Sequence, residues 1–231
     1  MKSHDIKIII IGDVSTGKTS FMKRWITGKF DDEYKITIKY EYNYKVINVN
    51  NIIYRVQIWD IGGQDRTHSC LSKIFVKGCH AVFIFSDITV NKTLQNTIIW
   101  KNLLNDLPNE FNCPVILFQN KIDLVRENEL NETQFQFKKF AEDNNFDLFY
   151  RISAKDNKGI DNAMNEIITH INNKILKLNE TINKKILDKN SESIYLKNQS
   201  FEIDKNNIIS NRNQNPDKNN NDNEYKKNKC C

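Results

Sequence analysis

Gly12, Gly17, Lys18 and Thr19 stand in the order G-x-x-x-x-G-K-T within "GDVSTGKTS". This spacing suits a phosphate chain. A tight bend between a strand and a helix turns backbone N–H groups inward, and the helix N-terminus adds donors and partial positive charge. The intervening Val14, Ser15 and Thr16 and the following Ser20 would line the same loop. Lys18 would reach the outer phosphates. Thr19 offers a hydroxyl to Mg²⁺, which prefers oxygen ligands. By itself the pattern predicts a nucleoside triphosphate and nothing finer.

Three further clusters refine it. In "WDIGGQD", Asp60 closes a strand where its carboxylate could hold the Mg²⁺, Gly63 frees an N–H for the terminal phosphate, and Gln64 could orient an attacking water. Alone this would be a strand end and a turn; behind a phosphate loop it is a site. In "NKID", Asp123 can accept from the N1–H and exocyclic amine of guanine, a donor pair that adenine lacks. Asn120 would brace the surrounding loops, and the Lys121 stem would cover the base. In "SAKD", Ser153, Ala154 and Lys155 support that pocket, with the Ala154 N–H expected to meet the guanine oxygen.

These clusters need elements to hold them. "IKIIIIG" is a buried strand by its β-branched run. "GKTSFMKRWITG" is a helix with Phe21, Met22, Trp25 and Ile26 on one side and Gly28 as its stop. "YEYNYKVINVNNIIYRVQIWDIG" is two strands around an Asn50-Asn51 turn. "AVFIFSDIT", "PVILFQNKID" and "LFYRISAKD" are further strands. "TLQNTIIWKNLLNDLP" is a helix ended by Pro108, with Trp100 on its packing face. "NETQFQFKKFAEDNN" is a helix with Asn131 and Gln134 spaced as a cap and its N3 partner. "GIDNAMNEIITHINNKILK" closes the series. The alternation predicts an α/β fold: a P-loop NTPase with a mostly parallel six-stranded sheet, one antiparallel edge strand, and helices on both faces.

The chain of 231 residues is 39% hydrophobic, with a formal charge of +5. No dense Lys/Arg stripe with interleaved aromatics appears, so nucleic acid is not an expected partner. Five cysteines lack metal-ligand spacing and form no disulfide framework. Cys70, Cys79 and Cys113 look scattered singly among apolar residues, as core or near-core thiols of a reducing, cytosolic compartment. The N-terminal apolar run is too short for a signal peptide, and no run is long enough to span a bilayer. Residues 1–177 read as one domain. Residues 178–231, rich in Asn, Lys and Ser, cannot bury enough surface to offset their ordering entropy and read as a disordered tail. About 50 such residues would reach ~40 Å.

The order and spacing of the four clusters resemble the small GTPases of the Ras superfamily, over roughly residues 6–177. "RVQIWD", "FVKGCH" and "FIFSDIT" are similar to Rab segments, and "WDI", with Ile61, resembles the Rab subgroup linked to lysosomes and related organelles. The resemblance implies that Thr37 binds Mg²⁺ and senses the γ-phosphate, that Phe30 packs against guanine, and that Tyr34 closes over the phosphates. It implies a hydrophobic effector patch at Tyr42, Trp59 and Ile74, of which only Trp59 keeps the family's residue. Lys39 stands where Rabs usually carry glycine, and Gly62, where alanine is common, would loosen the second switch.

The terminal Cys230 and Cys231, behind Lys226, Lys227 and Lys229, resemble a double geranylgeranylation signal, which anchors stably where one chain does not. The implied protein is a monomeric GTP/GDP switch of vesicle trafficking, on the cytoplasmic face of endomembranes and cycling with the cytosol. Its implied partners are an exchange factor, a GTPase-activating protein, a dissociation inhibitor, a prenylation escort protein and effectors. Gln64 and Lys18 would carry hydrolysis. Two alternatives stand beside this reading. Val14 could crowd Gln64 and leave a GTP-loaded scaffold that scarcely hydrolyses. A kinase or helicase-type ATPase would need a lid or second catalytic domain, which the tail does not supply.

Overall fold

The computed structural model describes residues 4–32, 37, 39–49, 51–63, 77–105, 113–177, 180 and 181. Contacts group the chain into Met1–Ile175 and Leu176–Cys231. In the second unit, residues 176, 177, 180 and 181 are helical. The sheet belongs to the first unit.

Among the described residues six strands form one sheet: β1 (His4–Gly12), β2 (Tyr40–Val49), β3 (Ile52–Ile61), β4 (Ala81–Asp87), β5 (Val115–Asn120) and β6 (Leu148–Arg151), in the order β2-β3-β1-β4-β5-β6. Among these six strands only the β2–β3 pair is antiparallel. β2 ends at Val49 and β3 begins at Ile52, with Asn51 of the expected Asn-Asn turn in the left-handed region at φ 64° and Asn50 outside the described residues. The described helices of the first unit are α1 (Lys18–Thr27), α2 (Asn91–Asn105), α3 (Glu127–Glu132), α4 (Gln134–Asp143) and α5 (residues 160–175), with a 3₁₀ turn at Ile122–Leu124. The architecture is the α/β sheet expected.

Alternation along the buried strands divides the core. Ile6, Ile8, Ile10, Phe83, Phe85 and Phe118 point to one face, where they meet Phe21, Met22 and Trp25 of α1 and Ile160, Met164 and Ile168 of α5. Ile9, Ile11, Val82, Ile84 and Leu117 point to the other, against Leu94 and Trp100 of α2 and Phe137 of α4. A strand buried on both faces must be apolar at every position, which is why "IIII" and "AVFIF" lack a polar phase. Phe21 anchors α1, with its ring centroid 5.1 Å from Phe85 and 5.3 Å from Phe118. α1 stops at Gly28, whose N–H donates to the Arg24 carbonyl at 2.9 Å.

One expected helix is built differently. Asn131 does not cap it but lies inside α3, and Thr133 separates α3 from α4 without a side-chain cap bond. The Thr133 hydroxyl instead turns back to the Glu129 carbonyl at 2.7 Å, and Arg151 donates to the Thr133 carbonyl at 3.0 Å. The local back-bond and the tertiary Arg151 contact together hold the break, which cap spacing alone could not show. Pro108, expected to end α2, lies outside the described residues.

Candidate nucleotide site

Five of the strands run parallel, so their carboxyl ends share one edge of the sheet. Gly12, Asp60, Asp87, Asn120 and Ser153 all arrive there. Open α/β sheets bind ligands at this edge, beside the strand where connections part to either side; here that strand is β1, between β3 and β4.

The loop after β1 folds on itself. The Thr16 hydroxyl donates to the Asp13 carbonyl at 2.9 Å. Lys18, 5% exposed, donates from Nζ to the carbonyls of Gly12 at 2.9 Å and Asp13 at 2.7 Å. Burial pushes the Lys18 ammonium below its usual range, and Asp60 and Asp13 oppose the shift. Gly17 begins α1 in the left-handed region at φ 86°, and a Cβ there would lie 2.2 Å from the Asn120 amide nitrogen. No side chain caps the helix and no acid occupies its first turn, so its N-terminal donors face the loop. Val14, 45% exposed, and Ser15, at φ 61°, form the outer rim. Ser20 follows Thr19 in the first turn of α1.

Beside the loop lies an oxygen cluster. Asp60 is fully buried at the end of β3. Its Oδ2 accepts from the Thr19 hydroxyl and lies 3.5 Å from the Thr37 hydroxyl. The two hydroxyl oxygens are 2.7 Å apart. Its Oδ1 is buried and takes no hydrogen bond among the described residues. Burial pushes the carboxyl up to about 6, against the opposing pull of the Thr19 hydroxyl and Lys18. A buried carboxylate with an unsatisfied oxygen and two adjacent hydroxyls is a donor set suited to a hard divalent cation. Gly63 packs on the phosphate loop, where a Cβ would lie 2.4 Å from the Gly12 carbonyl and 2.7 Å from the Val14 nitrogen. Gly62, expected to loosen this segment, is buried, and its N–H donates to the Lys39 carbonyl at 2.8 Å. Lys39 holds φ 67°, the conformation for which glycine is the usual residue.

A second pocket wall comes from β5 and β6. Asn120 donates from Nδ2 to the Thr16 carbonyl at 3.0 Å and accepts from the Ala154 N–H at 3.1 Å. It therefore braces the phosphate loop against the "SAKD" loop. The Ala154 N–H, expected to face a guanine oxygen, is spent on Asn120. The Ser153 hydroxyl donates to Asp123 Oδ1 at 2.6 Å and fixes the carboxylate. Lys121, at φ 69°, pairs with Asp87 at 2.6 Å, which pins its stem along the pocket.

Three contributors escape sequence reasoning. Asp13 is 6% exposed and accepts from Asn96 Nδ2 at 2.6 Å and Trp100 Nε1 at 2.8 Å, so α2 grips the phosphate loop. Trp100 packs as expected and also makes this polar contact. Arg24 donates to the carbonyls of Ala154 at 2.9 Å, Lys155 at 2.5 Å and Gly28 at 2.6 Å. Its guanidinium lies 5.7 Å from the Phe30 ring centroid. Asp87 is the third. Asn96 and Trp100 lie 83 and 87 residues from Asp13, and Ala154 and Lys155 lie 130 and 131 from Arg24, beyond any short motif.

Tyr42 and Trp59 meet on β2 and β3 with ring centroids 4.8 Å apart. Gln64, Tyr34, Ile74, Cys230 and Cys231 lie outside the described residues. No described helix is long and apolar enough to cross a membrane.

Comparison with known proteins agrees with this geometry. The Ras family model matches residues 7–173. Mouse "Ras-related protein Rab-32" is 32% identical over 174 residues, covering 74% of this chain and 77% of that protein. "Ras-related protein Rab-32A" of Dictyostelium discoideum is 33% identical over 76% of this chain and 82% of its own length. Human "Ras-related protein Rab-7L1" is 32% identical over 72% and 82%. With its phosphate loop, its buried Asp60 and its braced "NKID" and "SAKD" loops, the chain belongs to the Ras family, in the Rab branch of small GTPases, which bind and hydrolyse GTP as switches of vesicle trafficking.

Proposed function

We propose that the chain is a membrane-anchored switch in which the γ-phosphate of GTP draws the segment around Thr37 onto the Asp60 cluster. The observation that carries this is the convergence of the Thr19 and Thr37 hydroxyls, 18 residues apart in sequence, on Asp60 Oδ2, beside a buried Oδ1 that takes no hydrogen bond among the described residues. Thr19, Thr37 and Asp60 would hold Mg²⁺, which when bound neutralises phosphate charge. Lys18 would turn from the loop carbonyls to the outer phosphates, its burial making the charge count for more. Gly12, Val14, Ser15, Thr16, Gly17, Thr19 and Ser20 would cradle the phosphates, with Gly63 meeting the terminal one. Gln64 would orient the water that attacks it, releasing GDP and phosphate. Asp123, held by Ser153, would read guanine, with Phe30, Tyr34, Asn120, Lys121, Ala154 and Lys155 around the base.

When the γ-phosphate leaves, the contacts that hold Thr37 and Gly63 go with it, and effectors that prefer the ordered form are released. Geranylgeranyl groups on Cys230 and Cys231 would place the switch on endomembranes, with Lys226, Lys227 and Lys229 adding attraction to anionic lipid. The test pairs two measurements. A tagged full-length protein should sit on membranes and become diffuse when Cys230 and Cys231 are replaced by Ser; membrane retention without them would sink the anchor. Single-turnover GTP hydrolysis should fall in Gln64→Leu.

One observation favours a second reading, a GTP-loaded scaffold with little intrinsic turnover. Val14 stands 45% exposed on the rim beside Gly63, where its isopropyl group would compete for space with Gln64. Turnover no faster than that of Gln64→Leu would favour the scaffold.

A further inference from the structure

The amino ends of the parallel strands, opposite the nucleotide edge, hold a pair of thiols that sequence spacing kept apart. Cys79 precedes β4 and Cys113 precedes β5. Val82 pairs with Val115 in register, and the Val82 N–H donates to the Pro114 carbonyl at 3.0 Å. That register brings the two sulfurs to 2.6 Å, both half-buried and both free thiols. A disulfide bond is about 2.05 Å long and joins Cα atoms about 4.4–6.8 Å apart. Neighbouring strands lie about 4.8 Å apart, so closing the bond asks for roughly half an ångström of side-chain movement and no change of register.

We infer that Cys79 and Cys113 are a reversible disulfide-forming pair, oxidised by a small hydroperoxide and restored by a cellular dithiol. The surroundings favour Cys79 as the attacking sulfur. The Cys113 S–H donating to it, with the Lys7 ammonium nearby, holds Cys79 below the usual thiol range, against burial. The same bond pushes Cys113 up, although Lys174 acts in the other direction. Lys7 is itself positioned by the Lys77 carbonyl, 3.0 Å from its Nζ, and His80 accepts from the Lys7 N–H at 3.1 Å. A thiolate flanked by a cation, with a second thiol in contact, is the arrangement that selects a redox-responsive cysteine.

The steps balance. The Cys79 thiolate attacks the terminal peroxide oxygen, the O–O bond breaks, and the departing hydroxide (from hydrogen peroxide) or alkoxide (from an organic hydroperoxide) takes a proton from solvent to become water or an alcohol. Cys79 is then a sulfenic acid. Cys113 attacks its sulfur, the S–S bond forms, and a water leaves with the Cys113 proton. Two electrons have passed from the two thiols to the peroxide. A dithiol reverses the bond by exchange.

The test uses the full-length protein, folded and with GDP and Mg²⁺ present. It is treated with limiting hydrogen peroxide, alkylated, digested without reductant and mapped by mass spectrometry. The expected product is a peptide pair joined through Cys79 and Cys113, two hydrogen atoms lighter than the free peptides and separated by dithiothreitol. In Cys113→Ser, Cys79 should persist as a sulfenic acid captured by dimedone. In Cys79→Ser, Cys113 should stay alkylatable. Recovery of both thiols in alkylated form after Cys79 has had time to react, or of Cys79 joined to glutathione-like additives or over-oxidised while Cys113 is free, would overturn the proposal. So would Cys113 reacting equally well without Cys79.

Discussion

Trp100→Phe should loosen the phosphate loop although residue 100 lies on a helix behind it. Trp100 Nε1 donates to Asp13 Oδ1 at 2.8 Å in a site that is 1% exposed at the tryptophan and 6% at the aspartate. Phenylalanine keeps an apolar ring in the core cluster that holds Ile9, Ile84 and Leu117 but removes the donor. Asn96 remains on the other oxygen at 2.6 Å. A hydrogen bond to a charged group is worth about 1.5–3 kcal/mol, and the smaller ring adds a packing loss on the order of 1 kcal/mol. A double-mutant cycle with Asp13→Ala separates the two, because packing losses at Trp100 do not depend on the carboxylate. The Asp13 carbonyl, which receives Lys18, stays in both variants. The coupling energy should be about 1–2 kcal/mol. Since 1.4 kcal/mol is tenfold, Trp100→Phe should speed GDP dissociation by up to roughly tenfold, measured by displacement of a fluorescent GDP analogue. Energies that add within about 0.5 kcal/mol, with unchanged GDP release, would refute the idea that α2 grips the loop.

Three further outcomes are expected. Arg24→Met removes the guanidinium bonds to Ala154, Lys155 and Gly28; GDP should leave on the order of tenfold faster, with a smaller change in thermal midpoint than a core truncation gives. Lys39→Gly relieves a left-handed backbone that costs a side-chain-bearing residue about 1–2 kcal/mol, partly offset by the freedom glycine adds to the unfolded chain; urea unfolding of the GTP-analogue form should show a gain of up to about 1 kcal/mol. Burial holds the Asp60 carboxyl up at about 6, so the folded, chelator-treated protein binds that proton more tightly than the unfolded chain. The group's contribution is full below about pH 4 and is lost as pH rises through 6, up to about 3 kcal/mol across that window; Asp60→Asn should flatten this slope in urea titrations run from pH 4.5 to 7.5.

The parts of the site legible in the sequence are those that chemistry keeps contiguous. Gly12 to Thr19 must wrap one phosphate chain, so their spacing is rigid and readable. "NKID" and "SAKD" sit at strand ends, which hydrophobic runs announce. The sheet was legible for the same reason: strands buried on both faces admit few polar residues. What was not legible depends on register. Asp13 and Trp100, Arg24 and Ala154, and Cys79 and Cys113 meet only because particular strands lie side by side, and no local pattern encodes that adjacency. The Asn131 cap failed similarly, since its spacing was right but the break falls at Thr133, whose carbonyl Arg151 holds from outside the segment.

The central claim is that the γ-phosphate orders Thr37 and Lys39 against Asp60 and Gly62. Amide hydrogen exchange of the full-length protein, loaded in turn with GDP and with a non-hydrolysable GTP analogue in Mg²⁺, tests it most directly. Peptides covering residues 33–39 and 62–76 should exchange at least tenfold more slowly in the analogue-bound form, and Thr37→Ala should erase that difference for residues 33–39. Equal exchange in the two nucleotide forms would contradict the account.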